Sequence, residues 1–199
     1  QPPWYQPNDS NIVNIGPLKA LWLSHLQAKS TILYSHGHAT DIGYDNYYMQ
    51  SLHKMGYNVL GYDYRGYGHS RGIASEKHCY QDSEAAFNYL THTLKIPENR
   101  IILYGHSLGS ALAIRLATEH DVAGLILIAP FLSSNRTLTQ WKIFPWDFFD
   151  STKWIKKVKA PILFIQGTHN STAPIWQSRQ LYKMTQAPKK FTIFLNSSN

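Results

Sequence analysis

The nine residues Ile101-Ile102-Leu103-Tyr104-Gly105-His106-Ser107-Leu108-Gly109 give the strongest structural signal in the chain. A short apolar run, typical of a buried strand, ends at the first glycine, and residues 107–119 are rich in Ala and Leu, which is typical of a helix. A Gly-x-Ser-x-Gly pattern between a strand and a helix bends the chain sharply and leaves the serine hydroxyl exposed above the sheet. The glycines leave room for close backbone packing at this turn. We therefore predict that Ser107 is a nucleophile.

Short apolar runs alternate with helical patterns on both sides of this turn. Strands are predicted over residues 18–24, 31–34, 57–62, 101–104, 124–128, 161–165 and 191–195, and helices over residues 44–55, 75–94, 107–119 and 175–184. The proline-bearing segment before residue 18 is predicted to be irregular. This alternation is typical of the α/β class, with a mostly parallel central sheet and helices on both faces. A single domain is predicted over residues 1–199, because this length fits one domain with a substantial core.

The composition excludes several classes of protein. One cysteine, Cys79, rules out an internal disulfide framework. No run of about 18 apolar residues is present, so no membrane span is predicted. The net charge is +7 and the pI is about 9.4, yet the basic residues are scattered. The densest cluster, Lys153, Lys156, Lys157 and Lys159, has the spacing of a solvated helix face, so we expect no nucleic-acid partner, while peripheral contact with an anionic membrane is left open.

Three stretches resemble the motifs of one enzyme superfamily. They are Ser-His-Gly-His-Ala at residues 35–39, Asp-Tyr-Arg-Gly-Tyr-Gly-His-Ser at residues 63–70 and Gly-His-Ser-Leu-Gly at residues 105–109. Through them the chain resembles the α/β-hydrolase superfamily across almost its whole length, and most of all its branch of monoacylglycerol-lipase-like and depalmitoylase-like serine hydrolases. The resemblance implies the α/β-hydrolase fold with a small helical lid, and hydrolysis of a carboxylic ester or thioester through an acyl-serine intermediate. It implies no metal and no organic cofactor.

The resemblance also implies where an oxyanion hole lies. In this family one backbone N–H comes from the loop after an early strand and the other from the residue after the nucleophile, and these are His38 and Leu108 here. His38 stands where this branch commonly has Asn, a change that leaves the backbone amide in place. A metal site at His36 and His38 is not expected, because no third ligand follows at a recognisable spacing. The loop around Arg65 is expected to be structural.

The acid and the base of the triad depart from the family's pattern. The family places its acid in a pattern resembling Gly-Thr-x-Asp-x-x-x-Pro, and residues 167–174 have Asn170 at the acid position. The family's histidine follows the last strand, so the base belongs at or immediately after Asn199. Either the sequence stops short of this histidine, with a truncated C-terminal end, or the protein is a natural pseudoenzyme. His169, on the acid loop, is a third option as a substitute base.

An insertion between two strands, at about residues 131–160, is predicted to form the lid. Its aromatic residues include Phe131, Trp141, Phe144 and Trp146, which we expect to line the substrate pocket. An aromatic wall with little charge suits an acyl chain better than a sugar or a phosphate. The alternative is that these rings pack the insertion onto the core.

The sequence thus predicts a serine esterase or thioesterase that acts through Ser107, with Asn170 in place of the acid. Because of that substitution and the missing histidine, activity of the given form is expected to be impaired. The alternatives are a catalytically dead hydrolase-fold protein that binds a ligand or partner, and a peripheral membrane protein. A cytoplasmic location is favoured, and an envelope-anchored form follows if a leader before Gln1 was removed.

Overall fold

The computed structural model describes residues 10–135 and 147–195 and confirms the predicted α/β architecture. Within these ranges eight strands form one sheet in the order β1-β2-β4-β3-β5-β6-β7-β8. The strands are β1 (Ile12–Ile15), β2 (Leu18–Leu23), β3 (Thr31–Ser35), β4 (Asn58–Tyr62), β5 (Ile101–His106), β6 (Gly124–Ile128), β7 (Ile162–Gly167) and β8 (Lys189–Phe194). β2 pairs antiparallel with β1 and with β4, whereas all pairings from β4 across to β8 are parallel.

The predicted helices are confirmed; the first three are shorter than predicted, and the last has the predicted bounds. They are α1 (Asn46–Lys54), α2 (Glu76–Asn88), α3 (Leu108–Leu116) and α4 (Ile175–Met184). α2 begins after Ser75, whose hydroxyl accepts a hydrogen bond from the backbone N–H of His78 at 3.1 Å and so caps the first turn. Its last turn widens into a π-helical turn over Tyr89–Thr93. Short 3₁₀ turns follow at Glu98–Arg100, Ser151–Lys153 and Ile155–Lys157.

The first strand shows that the prediction of an irregular segment before residue 18 was wrong for residues 12–15. Residues Ile12–Ile15 form β1, which pairs with β2 in a register that sets Ile12 opposite Leu21. β1 is the edge of the sheet, and its one polar residue, Asn14, is exposed. Four residues are too few for a periodic pattern, so this strand is defined by its pairing and not by its sequence.

The two faces of the sheet are covered to different extents. On one face α2, α3 and α4 pack on fully buried residues such as Leu33, Leu103 and Phe164. On the other face α1 packs against β4, beside Tyr34 and Met49. Farther along, this second face carries four half-buried residues that line two open apolar pockets, namely Ile126, Ile128, Leu163 and Ile165. The described residues therefore cover the first face more completely than the second.

The carboxyl ends of the parallel strands meet at one edge of the sheet. β3 ends directly before residues 36–42, β5 ends directly before Ser107, and β7 ends directly before residues 168–173. In sheets of this kind the loops at the carboxyl ends form the ligand site. The topology therefore gathers three separate stretches of sequence around one place.

Candidate active site

Ser107 occupies the turn between β5 and α3 in a backbone conformation that few residues adopt. Its φ is 49° and its ψ is −111°, although it carries a side chain. Its N–H donates to the carbonyl of Ile128 at 2.9 Å, which ties the turn to the neighbouring strand β6. A backbone of this kind costs on the order of 1–3 kcal/mol, and such residues cluster at functional sites. The structure thus has the sharp strand-to-helix turn that the sequence predicted.

Two glycines let the chain pass close to itself at this turn. A Cβ on Gly109 would overlap the backbone carbonyl of Ser35, and a Cβ on Gly105 would overlap the backbone of Gly109. Backbone atoms cannot swing aside as the end of a side chain can, so both positions require glycine. This close approach holds the start of α3 against the end of β3, next to the loop that follows Ser35.

Ser107 lines a pocket of about 350 Å³ at the carboxyl ends of β3, β5 and β7, which we call the Ser107 pocket. Its lining comes from residues 37–40 after β3, from His106 and Ser107 at the turn, and from residues 169–172 after β7. Ser107, His38 and Asn170 are far apart in the sequence, and the fold brings them to one pocket. Its volume is in the range of small-molecule sites.

His38 and Leu108, the two expected donors to an oxyanion, belong to different elements beside Ser107. Leu108 is the first residue of α3, and backbone N–H groups in the first turn of a helix have no partner within the helix. The helix dipole at that end favours negative charge. His38 lies in residues 36–42, called the His38 loop, and its exposed imidazole Nδ1 is hydrogen-bonded to the hydroxyl of Tyr67 at 2.7 Å.

His36, at the start of the His38 loop, is fully buried. Its Nδ1 lies 2.7 Å from the carbonyl oxygen of Gly37, so Nδ1 carries a proton that it donates. The hydroxyl of Tyr64 donates to the carbonyl of His36 at 2.8 Å. Burial lowers the pKa of His36 to about 4, so its ring is neutral at physiological pH. The ring therefore supports the loop from inside.

Asn170 lies in residues 168–173, called the Asn170 loop. Its Oδ1 accepts a hydrogen bond from the backbone N–H of Ala173 at 2.7 Å, which closes a turn within the loop. The buried Nε2 of Gln166 donates to the carbonyls of Gly167 at 3.2 Å and Ala173 at 3.0 Å, so both ends of the loop are held. An amide at this position can orient an imidazole, but it carries no charge to stabilise an imidazolium.

Two further histidines line the Ser107 pocket. Burial lowers the pKa of His106, which packs beside Gly37 and also lines an adjacent apolar pocket of about 340 Å³. This buried environment is that of a packing residue. His169 is exposed in the Asn170 loop. The position expected for the family's base, at or after Asn199, lies outside the described residues.

Most of the predicted lid residues, Trp141, Phe144 and Trp146, lie outside the described residues. Phe131 is 3% exposed and belongs to the main core cluster. Its ring therefore packs the start of the insertion onto the core, which is the alternative that the sequence left open, and not onto the wall of the Ser107 pocket.

The segment of residues 63–70, between β4 and α2, is held by an ion pair. The Nε of Arg65 lies 2.6 Å from Oδ1 of Asp82, and the backbone N–H of Arg65 donates to the other carboxylate oxygen at 2.8 Å. These contacts agree with the expected structural role of the Arg65 loop. Sequence reasoning missed the contacts of Tyr67 and Gln166 with the site. The position of Tyr67 inside the second motif was the one available signal.

The described ranges show no group of three or more His, Cys, Asp or Glu side chains placed to hold a metal ion. No helix within them has the length and apolar character needed to cross a bilayer. Cys79 is buried, and burial raises the pKa of its thiol to about 12, so the thiol keeps its proton at neutral pH.

Comparison with known proteins finds relatives of the chain by sequence and by fold. A family model described as serine aminopeptidase, S33, matches residues 27–154. The chain is 37% identical, over 159 residues, to the alpha/beta hydrolase domain-containing protein aho-3 of Caenorhabditis elegans, a match that covers 77% of this chain and 47% of that protein. The chain spans about half the length of the curated relatives it matches.

Solved structures share the fold at lower identity. An alpha-beta serine hydrolase homologue from Coxiella burnetii superposes with a TM-score of 0.77 at 19% identity, covering 97% of this chain and 89% of that one. A monoacylglycerol lipase from Paleococcus ferrophilus gives a TM-score of 0.70 at 18% identity, covering 90% and 89%. At these identities the likeness concerns the fold alone.

Proposed function

This chain belongs to the α/β-hydrolase superfamily, within the family described as serine aminopeptidase, S33, and from this premise we propose that it is a serine hydrolase acting on carboxylic esters or thioesters. The observation that carries the proposal is Ser107 in its strained turn, lining one pocket with His38 and Asn170. A serine in this conformation presents its hydroxyl at the end of the sheet, where a substrate carbonyl can approach it.

The proposed reaction is acyl transfer in two steps. A histidine base takes the hydroxyl proton of Ser107 as its Oγ bonds to the substrate carbonyl, and the backbone amides of His38 and Leu108 stabilise the oxyanion that forms. The alcohol or thiol leaves with the proton, and water then releases the acid and restores Ser107. Removing one such amide donor typically costs about 3–4 kcal/mol of transition-state stabilisation.

The polarity of the Ser107 pocket favours an ester or thioester over a peptide with a free amino group. No Asp or Glu is present among the described residues that line it, namely residues 37–40, 106–107 and 169–172. A substrate ammonium group would need such a carboxylate as its partner, because burying an unpaired charge is costly. An uncharged ester needs no carboxylate partner.

A fluorophosphonate probe, which reacts with activated serines, tests this proposal on the complete gene product. We expect stoichiometric labelling at Ser107 and its loss in Ser107→Ala. Ser171→Ala is the matched control, because Ser171 is an exposed serine of the same pocket and should not affect labelling. Labelling at another serine, or none in a folded protein, would overturn the proposal.

A second candidate is a catalytically inactive hydrolase-fold protein that binds a ligand or partner. Asn170 at the acid position is the observation that favours it, because loss of this charge slows a serine hydrolase by roughly four orders of magnitude in turnover. The same experiment separates the two candidates. A folded protein that binds an ester substrate analogue while leaving Ser107 unlabelled would be a binding protein.

A further inference from the structure

The second motif of the sequence, residues 63–70, holds both ends of the His38 loop. At one end the hydroxyl of Tyr64 donates to the carbonyl of His36 at 2.8 Å. At the other end the carboxylate of Asp63 accepts a hydrogen bond from the backbone N–H of Ile42 at 2.9 Å. Tyr64 and Asp63 are both fully buried, so these anchors are shielded from competing water.

The middle of the His38 loop is less buried than its two ends. His38 and Ala39 are exposed, and the hydroxyl of Thr40 donates to Asp45 at the long distance of 3.3 Å. In this middle part the hydroxyl of Tyr67 and Nδ1 of His38 form a hydrogen bond of 2.7 Å. The orientation of His38, an exposed residue, therefore depends on Tyr67 more than on burial.

Tyr67 is itself fixed in place. Its backbone N–H donates to the carbonyl of Tyr64 at 2.9 Å, and the two rings pack edge to face with centroids 5.4 Å apart. The turn that carries it is fastened to α2 by Arg65 and Asp82. Burial raises the pKa of Tyr67 to about 12, so the hydroxyl keeps its proton at neutral pH. Tyr67, held in place by these contacts, thus forms its hydrogen bond with the exposed residue His38.

We propose that Tyr67 is a positioning residue: through its hydrogen bond to the imidazole of His38 it holds the backbone amide of His38 in the orientation that an oxyanion requires. This inference rests on the proposed hydrolase function. A donor must lie about 2.7–3.1 Å from the oxyanion, and a misplacement of about 1 Å can cost up to a hundredfold in rate. The contact also gives a use to the imidazole of His38, at a position where only the backbone amide was expected to act.

The test begins with Tyr67→Phe, which removes the hydroxyl and keeps the packed ring. With p-nitrophenyl butyrate as substrate, we expect kcat to fall about tenfold while KM stays within about twofold, because the amide acts on the transition state. Tyr47→Phe is the matched control, since Tyr47 is 78% exposed on α1, and it should leave both constants unchanged.

A double-mutant cycle separates positioning from general loss of structure. His38→Ala keeps the backbone amide and removes the imidazole. If Tyr67 acts through that imidazole, Tyr67→Phe should have almost no further effect on kcat in the His38→Ala background. Amide hydrogen exchange gives a readout without substrate: we expect faster exchange in residues 37–40 of Tyr67→Phe and unchanged exchange in α3.

The outcomes distinguish the inference from the proposed function. If the wild-type protein is labelled by the fluorophosphonate and Tyr67→Phe keeps kcat within twofold, the inference is wrong and the proposed function stands. Additive effects in the cycle would also overturn it. If the wild-type protein is neither labelled nor active, the proposed function fails, and unchanged exchange in residues 37–40 would then refute the contact's role in ordering the loop.

Discussion

The side-chain oxygen of Asn170 accepts a hydrogen bond from the backbone N–H of Ala173 at 2.7 Å, so this residue shapes its own loop. A carboxylate oxygen would accept the same hydrogen bond. Asp and Asn are therefore interchangeable for the structure of the Asn170 loop, and they differ mainly in charge. This equivalence makes Asn170→Asp a test of chemistry with little disturbance of the fold.

We expect Asn170→Asp to raise kcat of the complete gene product by about a hundredfold or more, because a carboxylate stabilises the imidazolium that an amide cannot. The measurement is hydrolysis of p-nitrophenyl butyrate at pH 7. Ser171→Asp is the control, since it puts a carboxylate on the neighbouring residue of the same pocket and should not raise the rate. Equal rates for Asn170→Asp and the wild type would mean that residue 170 is not at the acid position.

The contact of α3 with β3 predicts that Gly109→Ala is severely destabilising. The new Cβ would overlap the carbonyl of Ser35, and neither backbone can retreat without breaking the sheet or the helix. We expect a loss of about 3 kcal/mol or more in the free energy of unfolding, measured by urea denaturation.

Gly124→Ala is the comparison for this variant. A Cβ at Gly124, at the start of β6, would lie 3.1 Å from the carbonyl oxygen of Pro161, a much longer contact than the one at Gly109. A cost below about 1 kcal/mol is expected there, partly offset by the lower entropy of the unfolded chain. Equal costs for the two variants would contradict the close approach at Gly109.

The position of Ser107 could be predicted because its signal is local. The strand, the two glycines and the helix follow one another within nine residues, and each leaves its own mark on the sequence. The edge strand Ile12–Ile15 could not be predicted in this way, since four residues show no period and its pairing partner defines it. The parallel order of the sheet followed from the alternation of strands and helices.

The residues that hold the loops of the site could not be predicted from the sequence, for a different reason. Tyr67 and Gln166 act through hydrogen bonds to loops that are distant in sequence or defined only by the fold. No sequence pattern around a tyrosine or a glutamine indicates such a partner. Phe131 shows a different limit of the sequence. Because it is aromatic, we expected it to line the substrate pocket, but it lies in the core.

Asp45 makes the stability of the protein depend on pH. It is buried beneath the His38 loop, where it accepts hydrogen bonds from Tyr34 at 3.0 Å and Thr40 at 3.3 Å. Burial raises the pKa of Asp45 from 3.8 to about 6, an effect larger than the opposing one of these hydrogen bonds. Between pH 4 and 6 the folded state therefore binds more protons than the unfolded state, and the contribution of Asp45 to stability falls as pH rises.

Asp45→Asn removes this titration and keeps acceptors for both hydroxyls. We expect the free energy of unfolding of the variant minus that of the wild type to be larger, by about 1–2 kcal/mol, at pH 7 than at pH 4, so that the variant is relatively more stable at pH 7. Urea denaturation at the two pH values measures it, and Asp121→Asn, at an exposed position, is the control. A difference between variant and wild type that is the same at both pH values would contradict the pKa of Asp45 given by its burial.

Gln166 holds the Asn170 loop from the core side, so its replacement should weaken both the fold and the site. The side-chain Nε2 donates to the carbonyls of Gly167 and Ala173, and the side-chain oxygen accepts a hydrogen bond from the hydroxyl of Ser178. Gln166→Leu fills a similar volume and removes these buried hydrogen bonds, each of which contributes roughly 0.5–1.5 kcal/mol to stability.

We expect Gln166→Leu to lose about 2–4 kcal/mol in the free energy of unfolding and to speed amide exchange in residues 168–173. Gln50→Leu is the matched control, because the amide of Gln50 makes a long 3.4 Å contact with Asn46 on the surface of α1, and the variant should change stability by less than about 0.5 kcal/mol. If Gln166→Leu leaves exchange in residues 168–173 unchanged, the loop is held by its own turn at Asn170. If Gln166→Leu also lowers the rate of fluorophosphonate labelling, the reactivity of Ser107 depends on the ordering of this loop.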